Sequence, residues 1–128
     1  MRIEHVAIAS RSEEDSKRFF SELLGLEKVR EFIVSADLMD QFFGVKKDQK
    51  VVRYKNEKVE VEVFITDDES SVKDMFTHIC VIVEDKIKLI DRAEPMGFKI
   101  TKVARKDSDD FYLFLKDSFG NLYEIKSA

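Results

Sequence analysis

Ile3-Glu4-His5-Val6-Ala7-Ile8-Ala9, near the start of the chain, is echoed by Phe76-Thr77-His78-Ile79-Cys80-Val81-Ile82 in its second half. Each stretch alternates as a strand does, and each carries one of the chain's two histidines at the same place. Each is followed by a charged amphipathic segment that ends in glycine. From His5 to Gly25 is 20 residues and from His78 to Gly97 is 19. An internal repeat means two copies of one supersecondary unit, and a matched imidazole in each copy allows the two to meet across a pseudo-twofold axis. Metal sites are built that way.

The elements run in the same order in both halves. Residues 2–9 read as a buried strand, Ser12 as an N-cap with Asp15 three residues on, and Phe19, Phe20, Leu23 and Leu24 as the apolar face of a helix that Gly25 stops. Residues 26–34 read as a strand, and Ser35 opens a short helix (Leu38, Met39, Phe42, Phe43) closed by Gly44. Two strands at 49–55 and 58–66 follow, joined by a tight turn at Asn56-Glu57. The second half predicts a strand at 75–83 and a helix capped by Asp85, with Ile87, Ile90 and Ala93 inward and an end marked by Pro95 and Gly97. Strands at 98–105, 110–116 and 121–126 complete it, the last two separated by the turn Asp117-Ser118-Phe119-Gly120. Each half is therefore strand, helix, then three strands. Only the polar stretch Asp67 to Lys73 separates them, so a single domain is expected over 1–128, with module one at 1–66 and module two at 74–128.

Composition limits the function classes. The chain has 128 residues, 44% hydrophobic and 38% charged, with a formal net charge of −4. That suffices for one globular core. Lys and Arg are scattered rather than massed, which argues against nucleic acid, and no run approaches the roughly 18 apolar residues of a membrane span. The single cysteine, Cys80, cannot form an internal disulfide and agrees with a reducing, cytoplasmic setting.

Strand alternation shows which side chains travel together. His5 shares a face with Ile3 and Ala7, and His78 with Phe76 and Cys80. Val59, Val61, Val63 and Ile65 occupy one face of their strand and push Glu60 and Glu62 to the other. In the last strand Leu122, Glu124 and Lys126 oppose Tyr123 and Ile125. Two neutral imidazoles and two carboxylates give a divalent cation an N2O2 environment whose charge cancels its own, leaving positions open for water or an oxygen substrate. Such an ion acts as a Lewis acid on a carbonyl and can hold an enediolate or alkoxide. His5, His78 and Glu124 alone form the two-histidine, one-carboxylate triad of non-heme iron.

These residues resemble the vicinal oxygen chelate superfamily, the glyoxalase, bleomycin-resistance and extradiol dioxygenase group. Residues 3–9 are similar to its opening strand, Phe20-Ser21-Glu22-Leu23-Leu24-Gly25-Leu26 to its helix-to-strand junction, and Asp117 through Ile125 to its D-P-D-G-N-x-x-E-L ending, with Ser118 and Phe119 in place of Pro and Asp. The resemblance implies an α+β fold of two tandem βαβββ modules forming a cup-shaped mixed sheet, and a homodimer. It also implies a divalent metal (Ni, Co, Zn, Mn or Fe) on His5, Glu62, His78 and Glu124, with Glu62 or Glu124 as the base. Glu60 shares the face of Glu62 two residues earlier, and register alone does not separate them; the family's turn followed by x-x-E-h-E-L favours Glu62.

The plainer readings have weight. One buried histidine is more often a hydrogen-bonded core residue than a ligand, and it is the repeat that shifts the balance. Cys80 reads as a small buried hydrophobe rather than a pocket group. Phe64, Phe76, Phe111 and Phe114 could wall a pocket or merely fill the core. Among activities, Ala9 stands where glutathione-binding members carry arginine, and Thr77-His78 stands where the methylmalonyl-CoA epimerases carry paired histidines. The expectation is a metal-dependent lyase or isomerase acting on a small oxygenated substrate. The alternatives are an extradiol-type iron dioxygenase and a non-catalytic antibiotic-binding resistance protein.

Overall fold

The structure is a computed structural model that describes residues 3–67 and 76–128. It divides into two compact units, Met1–Ser70 and Ser71–Ala128. The expected junction beyond Asp67, and the first residues of the strands expected at 2–9 and 75–83, lie outside the described residues.

In the first unit, β1 (Val6–Ser10) leads into α1 (Glu13–Ser16), which continues as a π-helical segment, Lys17–Leu23. Ser12 caps the helix, its hydroxyl accepting from the Asp15 N–H at 3.1 Å. The wider winding turns the consecutive Phe19 and Phe20 inward together with Leu23, at 0%, 2% and 0% exposure. Leu24, expected on that face, is only half-buried. Next come β2 (Glu27–Val34), α2 (Ala36–Phe43), β3 (Gln49–Lys55) and β4 (Glu60–Ile65). The sheet order is β1-β4-β3-β2, with β1 parallel to β4 and the other pairs antiparallel. The parallel closure places the last strand of the module beside its first. One sheet face carries the core, where Phe20 stacks on Tyr54 at 5.5 Å and the Tyr54 hydroxyl meets Ser16 Oγ at 2.9 Å.

The second unit repeats this plan with β5 (His78–Val83), α3 (Lys86–Met96), β6 (Lys99–Ala104), β7 (Phe111–Lys116) and β8 (Leu122–Ser127). Its order is β5-β8-β7-β6, with β5 parallel to β8. The tandem α+β modules expected from the repeat are therefore present. Asp85 caps α3 through the N–H groups of Ile87 and Lys88, and Gly97 ends it at φ +82°. Pro95 sits inside the last turn rather than beyond it. The inner face of α3 is Leu89, Ile90 and Ala93. Ile87 instead lies at 59% exposure, because its place in the first turn rotates it away from the sheet.

Two boundaries differ from the sequence reading in ways that affect the site. β1 begins at Val6, so His5 stands just before the strand, whereas His78 is the first residue of β5. The β3–β4 connection is a four-residue loop, Asn56 to Val59, because the Asn56 side-chain oxygen accepts from the N–H groups of both Lys58 and Val59. Lys55 consequently pairs with Glu60 and Arg53 with Glu62, a shift of two residues from the register of a two-residue turn. No helix of the described residues is long and apolar enough to cross a membrane.

Candidate metal centre

Parallel pairing fixes where each glutamate stands relative to its histidine. Glu62 on β4 is opposite Ala7, two residues after His5, and Glu124 on β8 is opposite Cys80, two residues after His78. The same offset recurs in both modules. An offset of two keeps both side chains on one sheet face. His5 Nε2 lies 4.0 Å from Glu62 Oε2, and His78 Nε2 lies 3.5 Å from Glu124 Oε2. Leu122, the residue opposite His78, is the module-two counterpart of Glu60. Glu60 itself meets Arg53 Nη1 at 3.2 Å.

The outer ring nitrogens are engaged alike. His78 Nδ1 is 2.8 Å from the carbonyl oxygen of Phe76, and His5 Nδ1 is 3.3 Å from Glu4 Oε1. A carbonyl or an ionised carboxylate only accepts, so in the neutral ring Nδ1 carries the proton and Nε2 presents its lone pair toward the glutamate. Orienting a ring through Nδ1 is how proteins prepare an imidazole for a cation. Each pair, one Nε2 lone pair and one carboxylate, is of the ligand types that divalent ions take. Each unit supplies one histidine–glutamate pair, and among the described residues no group of three or more His, Cys, Asp or Glu is gathered closely enough to hold a metal.

The surroundings of the two pairs differ. Arg53 directs Nε and Nη2 onto Glu62 Oε2 at 2.9 and 2.8 Å, and Nη1 onto Glu60 and Glu4 at 3.2 and 3.4 Å. Glu62 raises the arginine's pKa further, and Glu4 is held below the usual carboxylate range first by its hydrogen bond and charge interaction with His5 and less by Arg53. In the second module the residue opposite Glu124 is Phe114, whose ring meets His78 edge-on at 5.8 Å. Among the described residues the cation near Glu124 is Lys126, which is exposed and stands 3.9 Å away.

Sequence reading missed Arg53. The signal was available, since Arg53 lies nine residues before Glu62 in a recognisable hairpin. The two-residue turn would have paired it with Glu60 instead, and the longer Asn56 loop corrects this. The four phenylalanines also separate. Phe64 meets Phe43 edge-on at 5.6 Å, Phe114 adjoins His78, Phe111 lies beneath the ammonium groups of Lys86 and Lys102, and Phe76 is 85% exposed. Cys80 is exposed rather than buried, because it shares the open face of β5 with His78.

The family model of the Glyoxalase/Bleomycin resistance protein/Dioxygenase superfamily matches residues 2–125. The chain belongs to this superfamily. Among solved structures, this glyoxalase-superfamily chain is similar to a glyoxalase family protein from Enterococcus faecalis (22% identity, TM-score 0.70, covering 97% of this chain and 95% of that one). A glyoxalase family protein from Bacillus cereus aligns at 15% identity with a TM-score of 0.74, over 99% and 93% of the two chains. The fosfomycin resistance protein FosX from Listeria monocytogenes, in a form complexed with Mn(II) and sulfate, aligns at 12% identity and TM-score 0.69, over 99% and 92%. These likenesses show the shared fold. No curated protein matches the superfamily chain by sequence.

Proposed function

We propose that this protein is a divalent-metal-dependent lyase or isomerase acting on a small oxygenated substrate, with His5, Glu62, His78 and Glu124 as the metal's ligands. One observation supports this above the others: a histidine–glutamate pair recurs at the same register offset in both modules, with each Nδ1 engaged and each Nε2 turned to a carboxylate. A bound divalent ion supplies Lewis acidity toward a substrate carbonyl or hydroxyl. The chain's own groups do the rest. Phe76 carbonyl and Glu4 hold the rings in one tautomer, and Glu62 or Glu124 takes the proton from the carbon next to the polarised oxygen. Phe64, two residues along β4 from Glu62, and Phe114, across the ladder from Glu124, supply apolar surface on the strand faces that carry the carboxylates.

Elemental analysis of protein purified without chelator or affinity tag tests the reading, followed by titration with Mn(II) and Ni(II). One equivalent per chain is expected, lost in both His5→Ala and His78→Ala. Protein that retains no metal and acquires none refutes it. We also propose a homodimer, for which α2 offers exposed Leu38, Phe42 and Phe43; a monomer by sedimentation equilibrium would exclude it.

A second reading has a specific observation in its favour. Glu62 is held by Arg53, whereas among the described residues Glu124 meets no guanidinium, and His5, His78 and Glu124 are the ligand types of a non-heme iron dioxygenase. Oxygen uptake with catechol by the Fe(II)-loaded protein, and activity surviving Glu62→Gln, would favour that chemistry over the first.

A further inference from the structure

On the open face of the second sheet, one rung of the ladder runs from His78 through Leu122 and Lys116 to Lys99, each residue directly opposite the next. The matching rung of the first sheet runs from Glu60 through Lys55 to Glu27. The lysine on the third strand of each module is kept. The carboxylates on either side of it in the first module are replaced by leucine and a second lysine in the second. We propose that Lys99 and Lys116 form an anchor for an oxyanion, a carboxylate or phosphate group, on the face that carries His78 and Glu124. This rests on the reading of that face as substrate-binding only for what carries the anion, and it names the substrate class: a small oxygenated molecule that is itself an anion.

Residues directly opposite in a ladder project from one face, and like charges so placed destabilise a sheet. Leu113 and Leu115 point into the core at 0% exposure, which sets Lys116 on the open face with Phe114. Lysine on an edge strand guards against pairing with another chain, and that accounts for Lys99 on β6. It does not account for Lys116, which is half-buried on β7, between β6 and β8. Among the described residues neither ammonium group meets a carboxylate. Asp117, next in sequence, is taken up by Phe119, Asn121 and Tyr123, and Glu124, on the same face, meets His78 and Lys126. A half-buried charge left unpaired is costly, and a bound anion supplies the partner that the chain lacks. Two ammonium groups with three donors each match the several acceptor lone pairs of an oxyanion. The backbones of Lys116 and His78 stand two strand spacings apart, about 10 Å. A small molecule anchored by the lysines can therefore lay its remaining oxygens beside the imidazole.

The test is a titration of the metal-free full chain with inorganic phosphate, and separately with acetate, at constant ionic strength, read from the lysine side-chain NMR resonances. Phosphate should move the Lys99 and Lys116 signals with one common Kd. Lys116→Gln should weaken binding about tenfold, the weight of one charge-assisted hydrogen bond. Lys99→Gln, at an exposed position, should weaken it several-fold and serves if Lys116→Gln does not fold. Lys88→Gln, which removes a positive charge from α3, should change it less than twofold. Lys99→Glu restores the first module's order of charges and should abolish binding while raising Tm. Tighter binding of acetate than of phosphate assigns the anchor to carboxylates, and the reverse to phosphates. Lysine signals that do not move in the wild type, or an equal loss in Lys88→Gln, overturn the inference. Phosphate binding by metal-free protein that takes up no Mn(II) would sink the metal reading and leave the anchor standing. With Mn(II) bound, phosphoglycolate should bind at least tenfold more tightly than glycolate, an advantage that Lys116→Gln removes. An advantage that survives Lys116→Gln overturns the assignment of the anion to the substrate.

Discussion

Removing the Asp117 carboxylate should loosen the β7–β8 hairpin that carries Glu124. Asp117 accepts from the N–H groups of Phe119 (3.1 Å) and Asn121 (2.9 Å), from Asn121 Nδ2 (2.8 Å) and from the Tyr123 hydroxyl (3.0 Å). Tyr123 is 2% exposed, so its hydroxyl cannot recover the lost bond from water and carries about 1–3 kcal/mol of the loss. The turn N–H groups rehydrate partly and cost less. Burial raises the pKa of Asp117, a sign that the charged form is strained and that its removal returns part of the cost. Asp117→Ala should therefore lose about 3 kcal/mol in urea denaturation, or roughly 10 °C in Tm. In a double-mutant cycle, Tyr123→Phe should cost about 1–1.5 kcal/mol in the wild type and almost nothing when Asp117→Ala is already present. The pH dependence has a definite sign. A folded pKa above the unfolded one means that the native state binds the proton more tightly, so the contribution of Asp117 is greatest below the unfolded carboxylate pKa and falls as pH rises toward the folded value. The gap between wild type and Asp117→Asn should shift in that direction between pH 4 and 7. Additive costs for Asp117→Ala and Tyr123→Phe would refute the account.

Three further outcomes follow from particular contacts. Glu13 is held down to about 2 by hydrogen bonds from Lys28 and Lys50, so its contribution is present above the usual carboxylate pKa and disappears as pH falls toward 2. Its side chain is 37% exposed, so Glu13→Gln should cost no more than about 1 kcal/mol at pH 7, a difference that 0.5 M salt largely removes in thermal melts. Lys86, with a side chain 10% exposed, ties Asp110 and the Phe111 carbonyl to α3, and Lys86→Met should cost about 1–2 kcal/mol and speed tryptic cleavage at Arg105 and Lys106. Leu113→Ala, at a position with 0% exposure, should lose about 2–5 kcal/mol by denaturation, far more than Ile82→Ala at 68% exposure.

The tandem plan was legible because both of its signals are local. Alternation placed β3 at its observed bounds, and Ser12, Ser35 and Asp85 announced three helix starts through the capping bonds that they make. What the pattern could not reveal depends on geometry between strands. The Asn56 loop moves Arg53 from Glu60 to Glu62, an effect of two hydrogen bonds to one side chain that no periodicity encodes. The π-wound turn that buries Phe19 beside Phe20 is equally silent in sequence. The pairing of His5 with Glu62 and of His78 with Glu124 was legible only as shared faces. The parallel closure of each module turns those faces into distances.

Stability does not account for the carboxylates around Arg53. Glu4, Glu60 and Glu62 share one guanidinium, so with a neutral His5 the cluster is doubly negative. An ion pair at a partly exposed position is worth about 1 kcal/mol at most, and each added carboxylate repels those already there. A fold selecting only for stability would place apolar residues at these positions, as the second module does with Phe114 and Leu122. Excess negative charge beside an imidazole whose Nε2 lone pair is free is costly on its own and favourable once a divalent cation arrives, because the ion cancels it. Around His78, the described residues of the second module place one glutamate and one lysine, with no such excess. The asymmetry between the repeats therefore lies in how tightly each carboxylate is already held, Glu62 by a guanidinium and Glu124 by none among the described residues.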